Sequence, residues 1–241
     1  QVEEVTGNPI EGEHTRTGRR RAFESVQLLV PFEPKTFYAA GVNYIAHITE
    51  MAELQGREPN IPPKADVGYR ANNALIAHGE AIVKPRDSTE RFQYEGELVV
   101  VIGKQAKHLS EDNAFSCVFG YTIGNDVSER TWQAGDRTLW RAKNSDTFKP
   151  MGPWIETDVD LDKMMTIVRL NGRQVTVFPT NNMLYGIAHY ISEMTRYLTL
   201  YPGDMIWMGT DGAPENMKPG DVCDVEITGI GVLSNPITAE Q

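Results

Sequence analysis

The chain has 241 residues, 40% apolar and 23% charged, with a formal net charge of −10. That length and balance suit one sizeable globular domain with its own core. The acidic surplus argues against non-specific binding to nucleic acid or anionic membranes, and no apolar run reaches the ~18 residues of a membrane-spanning helix.

The opening stretch, QVEEVTGNPIEGEHTRTGRRR, does not begin with Met and has no apolar core of the signal-peptide kind. It reads as a chain that lacks its first residues. Residues 1–33 are expected to form a peripheral N-terminal segment ending in the apolar VQLLVPF, and residues 34–241 a single domain. The cluster Arg19-Arg20-Arg21 is shorter than a nucleic-acid patch and belongs on a solvated loop. TFYAAGVNY reads as a strand entering a turn, and residues 43–55 as a short helix. Residues 56–73 form a polar, Pro-containing loop long enough to be a lid.

LVVVIG is a buried strand by its β-branched content, and EDNAFSCVFGYTIGND a helix followed by a second buried strand. TIVRLNGRQVTVF is a hairpin, with Asn171-Gly172 supplying a type I′ turn. Residues 183–199 carry Ile187, Ile191, Met194 and Leu198 at helical spacing, which leaves His189 near the surface. YPGDMIWMG and GDVCDVEITGIGVL are two further strands. In the second, Cys223, Val225 and Ile227 point inward while Asp224, Glu226 and Thr228 point out. The two cysteines, Cys117 and Cys223, sit among apolar neighbours and read as buried free thiols in a reducing compartment. The sum is an α+β chain, mainly β, with a few peripheral helices.

One stretch asks for an explanation. YEGELVVVIG holds Glu95 and Glu97 on the same side of a strand, because side chains alternate faces with a period of two. Paired like charges are common on a solvated strand face, but at the head of a buried strand they become favourable around a hard divalent cation. Asp126, at the end of the next buried strand in YTIGNDVSERTWQ, offers a third carboxylate. His47 and Glu50 lie one helical turn apart, so the carboxylate can orient the imidazole for proton transfer near neutral pH. By the same spacing, Arg130 and Gln133 point the same way. His14 and His108 lie in no such setting, and His78 reads as structural.

YEGELVVVIGK, GYTIGNDVSERTWQ, RAKNSDTFKPMGPWI and LYPGDMIWMGT, in that order, resemble the fumarylacetoacetate hydrolase family, over a span from Phe37 to Ile237. The resemblance implies a mixed β-roll, a homodimer and an enzyme acting on a small anionic keto acid, while the free thiols imply a cytoplasmic setting. It implies Glu95, Glu97 and Asp126 as ligands of Mg²⁺, with Mn²⁺ or Ca²⁺ as alternatives. His47 with Glu50 would act as the base and Lys143 would stabilise an enolate, while Arg130, Gln133, Lys143 and Thr210 would bind substrate. The chain departs from its relatives by reading Gly209-Thr210-Asp211 where they commonly have a proline after the threonine, and Lys149 falls at a varied position with no implied role. The expected activity is metal-dependent hydrolysis of a C–C bond in an acylpyruvate-type 1,3-diketo acid through a metal-chelated enolate. A decarboxylase or an isomerase or tautomerase on the same site, and a non-catalytic binding protein, are the alternatives.

Overall fold

The structure is a computed structural model that describes residues 1–54, 56–213 and 215–241; the side chains of Glu50, Met51 and Leu54 lie outside the description. Strands β1 (Val2–Asn8) and β2 (Glu13–Arg21) form a hairpin that is a sheet of its own. Its outward residues are charged, and Arg20 and Arg21 pair with Glu3 and Glu4 across the hairpin. The basic cluster is thereby neutralised on the surface.

Next come β3 (Phe37–Ala40), α1 (Ile45–Leu54), β4 (Val67–Tyr69), β5 (Leu75–Ile76), β6 (Ile82–Lys84) and β7 (Phe92–Gln93). The long central strands β8 (Gly96–Ile102) and β9 (Val118–Asn125) follow, then β10 (Ser128–Glu129), α2 (Arg130–Gln133), α3 (Trp140–Asn144) and β11 (Lys149–Glu156). The last third holds β12 (Met165–Leu170), β13 (Arg173–Pro179), α4 (Ile187–Tyr197), β14 (Met205–Trp207), β15 (Val222–Ile227) and β16 (Gly231–Ala239).

Two curled, mixed sheets enclose the core. Seven strands run in the order β4-β3-β14-β8-β9-β11-β5, and five in the order β13-β12-β15-β16-β6. The strand β8 is buried along its whole length, which is why its sequence is an almost unbroken apolar run. Its alternation splits it cleanly. Leu98, Val100 and Ile102 enter the large core, while Val99 packs with Phe37, Met151, Met205 and Trp207 in a smaller cluster. Among the described residues no helix is long and apolar enough to cross a membrane.

Two glycines let backbones approach where the acids sit. A Cβ at Gly96, between the two glutamates, would lie 2.9 Å from Val225 of the five-stranded sheet. Gly124 faces Glu97 across the β8–β9 ladder, and a Cβ there would fall 2.5 Å from the Trp207 ring. We expect Gly124→Ala to destabilise the fold by ~1–3 kcal/mol through overpacking, measured by denaturant unfolding against the parent chain.

Several sequence-based expectations are corrected. EDNAFSC is a helix as expected, of the 3₁₀ kind, over Glu111–Cys117, but the C-terminal run breaks at a turn into β15 and β16. The expected lid over 56–73 contains the three-residue strand β4, which forms the edge of the larger sheet. It is also tied to the segment around α4: the Tyr185 hydroxyl donates to Pro62 O at 2.8 Å, and that of Tyr190 to Asp66 O at 3.2 Å. Both cysteines are buried and free. His78 accepts a hydrogen bond from Ser234 N–H, a structural role, and His189 is partly exposed and bonded to Glu111.

Candidate metal centre and active site

The antiparallel register of β8 and β9 brings the acids together. Gly96 lies opposite Asn125 and Glu97 opposite Gly124, so Glu95 and Asp126 flank the same end of the ladder. Asp126 N–H donates to Glu95 O at 2.9 Å, and Glu95 N–H donates to the Asn125 side chain at 2.9 Å. Glu95, Glu97 and Asp126 are all buried, and each offers an oxygen within 4.8 Å of the others.

The four cations around this cluster are distributed unevenly. Lys143 Nζ lies 2.6 Å from Glu95 Oε2 and 3.0 Å from Asp126 Oδ2. Arg130 Nη1 pairs with Glu95 Oε1 at 2.5 Å, and Arg70 Nη2 with Asp126 Oδ2 at 2.9 Å. Lys149 Nζ reaches Asp126 Oδ1 at 2.6 Å. Among the described residues no lysine or arginine pairs with Glu97, whose Oε2 accepts the Gly209 N–H at 2.8 Å.

The titration of the three acids follows from that distribution. Burial alone would raise Glu95, but the charges of Lys143 and Arg130 outweigh it and hold the carboxyl down to about 2. Asp126 is likewise buried, and Arg70, Lys143 and Lys149 keep it well below the usual carboxylate range. Glu97 goes the other way. Burial, with the neighbouring charges of Asp126 and Glu95, pushes it up to about 8.

This donor set suits a hard cation. All three candidate ligands are carboxylate oxygens with no thiolate or imidazole among them, the pattern of Mg²⁺, Ca²⁺ or Mn²⁺ rather than of softer metals. Among the described residues Glu97 is the carboxylate of the three with no directly paired cation, and a divalent ion would supply one.

The acids open onto a cavity of about 120 Å³. His47, Arg70, Gln133, Lys143 and Thr210 share its lining with them. Seven of the nine residues singled out in the sequence thus line one space. The eighth, Arg130, is buried beside it and donates to Gln133 Oε1 at 2.9 Å, so the helical turn aims both the same way as expected. The ninth, Glu50, lies on α1 with His47, but its side chain is outside the described residues. At this site Thr210 Oγ1 and Arg130 Nη2 are buried with no hydrogen-bond partner among the described residues. Each is a group that a bound anion would satisfy.

Sequence reasoning missed Arg70 and gave Lys149 no role. Arg70 follows the β4 edge strand and crosses to Asp126, 56 residues on. Asp211, the departure after Thr210, is only partly buried, and its charge helps raise the Tyr44 phenol behind the cavity after burial itself.

The sequence profile described as fumarylacetoacetate (FAA) hydrolase C-terminal matches residues 36–238. The chain belongs to the fumarylacetoacetate hydrolase family. It is 32% identical over 218 residues to an oxaloacetate tautomerase of Bacillus subtilis, covering 86% of this chain and 71% of that protein. It is 36% identical over 215 residues to a 2,4-didehydro-3-deoxy-L-rhamnonate hydrolase of a Sphingomonas species, covering 83% and 72%. The crystal structure of a 5-carboxymethyl-2-hydroxymuconate delta-isomerase from Mycobacterium smegmatis superposes with a TM-score of 0.87 at 33% identity, covering 99% of this chain and 90% of that one. The curled sheets are therefore those of the fumarylacetoacetate hydrolase fold, and members of this family are enzymes: hydrolases, isomerases and decarboxylases.

Proposed function

We propose that this family member cleaves a C–C bond in a small 1,3-diketo acid of the acylpyruvate or fumarylpyruvate type, with Glu95, Glu97 and Asp126 as ligands of Mg²⁺. The observation that carries the proposal is the single cavity in which the three carboxylates meet a histidine, an ammonium and the unsatisfied Thr210 hydroxyl. Magnesium bound there would supply Lewis acidity toward the keto and carboxylate oxygens of the substrate. The remaining steps fall to the chain. Thr210, Gln133 and Arg130 grip the anionic end. His47, oriented by Glu50 one helical turn on, takes a proton from water, and the hydroxide oxygen adds to the distal carbonyl. The bond from that carbon to the neighbouring methylene breaks, and its electron pair becomes the enolate of pyruvate, whose charge Lys143 neutralises. Proton return from His47 to carbon completes the addition of one water and yields pyruvate and a carboxylic acid.

The small cavity and the tautomerase relative favour a second reading, in which His47 moves a proton between carbon and oxygen of a 2-oxo diacid without admitting water. Incubation with a panel of acylpyruvates and with oxaloacetate, with Mg²⁺ or EDTA, separates the two. Pyruvate plus a second acid marks hydrolysis, and keto–enol interconversion with no new product marks the tautomerase. Release of CO₂ marks a decarboxylase, and no turnover with either metal condition would leave a binding protein. The homodimer implied by the sequence resemblance and the cytoplasmic setting implied by the free thiols belong to the same proposal, and sedimentation equilibrium tests the first.

Ion uptake should be linked to pH through Glu97. Its carboxyl, pushed up to about 8, is mainly protonated at neutral pH and must lose the proton to act as a ligand. We expect Mg²⁺ binding at pH 7 to release ~1 proton per ion, read by calorimetry in buffers of different ionisation enthalpy, with affinity rising by up to ~10-fold per pH unit until about pH 8.

A further inference from the structure

Of the two cations at the centre to which the proposed chemistry gives no task, Arg70 lines the cavity and Lys149 does not. Lys149 opens β11 in the run FKPM, and its side chain is 0% exposed. An ammonium buried that deeply is costly unless it is both paired and fully hydrogen-bonded. Here all three of its donors are used. Nζ pairs with Asp126 Oδ1 at 2.6 Å and donates to Val127 O at 3.2 Å and Phe148 O at 2.9 Å. The two oxygens of Asp126 therefore differ. Lys143 and Arg70 Nη2, which belong to the cavity wall, converge on Oδ2 at 3.0 and 2.9 Å, with Arg70 Nε 3.3 Å from both oxygens. Oδ1 faces a cation sealed in the protein.

We propose that Lys149 is a positioning residue for the metal centre, holding Asp126 by Oδ1 so that Oδ2 alone is presented to the ion. This rests on the magnesium site proposed above. Mg²⁺ demands near-ideal octahedral geometry and tolerates a wandering carboxylate poorly. Partners that fix a ligand in this way typically govern metal affinity by ~10–100-fold.

The sign of one measurement separates positioning from mere charge. Removing a positive charge next to a cation site should, by Coulomb's law alone, tighten the ion's binding. Removing a positioning contact should weaken it. Calorimetric titration of Mg²⁺ into wild type and Lys149→Met at one pH, with thermal unfolding of the metal-free proteins alongside, reads this without recourse to turnover. The expected result is a dissociation constant raised ~10–100-fold in the variant, with a smaller metal-induced rise in Tm. Unchanged or tighter binding in a folded Lys149→Met protein would overturn the role of Lys149 and leave the metal site standing. Absence of binding in wild type would overturn the metal site itself, and this role with it. Should the methionine variant not fold, Lys149→Gln, which keeps a donor for the backbone carbonyls, carries the same outcomes.

Discussion

Replacing Glu97 with alanine is expected to leave a folded protein that neither binds Mg²⁺ nor turns over substrate. The loss should be ~10³-fold or more in kcat/KM, since metal Lewis acidity is worth several kcal/mol and each 1.36 kcal/mol is tenfold in rate. Folding should survive because the metal-free protein does not profit from this carboxylate at high pH. Its folded-state value near 8 lies above the ordinary 4.5. The neutral form is therefore the one the fold favours, and the group's contribution to stability, intact below about pH 4.5, is lost as pH rises through about 8. Metal-free Glu97→Gln should accordingly match wild type near pH 5 and overtake it in Tm as pH approaches 9. A variant that bound Mg²⁺ as well as wild type by calorimetry would remove Glu97 from the ligand set.

His47→Ala should separate chemistry from metal binding. The imidazole lines the cavity with the acids, and its charge is one of those felt by Glu95. Removing it deletes the proposed base, at a cost of ~10²–10⁴-fold in kcat by the usual range for general acid–base catalysis. The Mg²⁺ dissociation constant should stay within about twofold, because no ligand oxygen is lost. Intact hydrolysis of a diketo acid by the variant would take the base role away from His47 and shift the balance toward decarboxylation or isomerisation.

Much of the centre was legible because its chemistry is written on strands. The alternation in YEGEL put Glu95 and Glu97 on one side, and the apolar run behind them announced burial; the motif order then tied in Asp126, Lys143 and Thr210. Arg70 was hidden by distance. It sits just beyond a three-residue edge strand inside what reads as a polar loop, and only the folded chain brings it to Asp126. Lys149 did leave a trace, a lone lysine in the apolar run FKPM, where an unpaired charge would be untenable. Strand order was the least legible property of the fold. Strand β14 inserts between β3 and β8, pairing parallel with one and antiparallel with the other, and such long-range ladders have no local signature. The helix at 111–117 was legible, but its tighter 3₁₀ winding was not, because its composition is that of an ordinary helix.

Glu95 and Asp126, gathered and neutralised by Arg70, Arg130, Lys143 and Lys149, are held in place by lysine and arginine side chains before any ion arrives. On the proposal that this site takes Mg²⁺, the ion would be a visitor to a finished room rather than a rivet in its frame, unlike a zinc finger, which collapses when stripped. Loading and unloading would then follow the free ion level without cycles of unfolding, and the supply of the ion, not the survival of the polypeptide, would set how many copies are competent at a given moment.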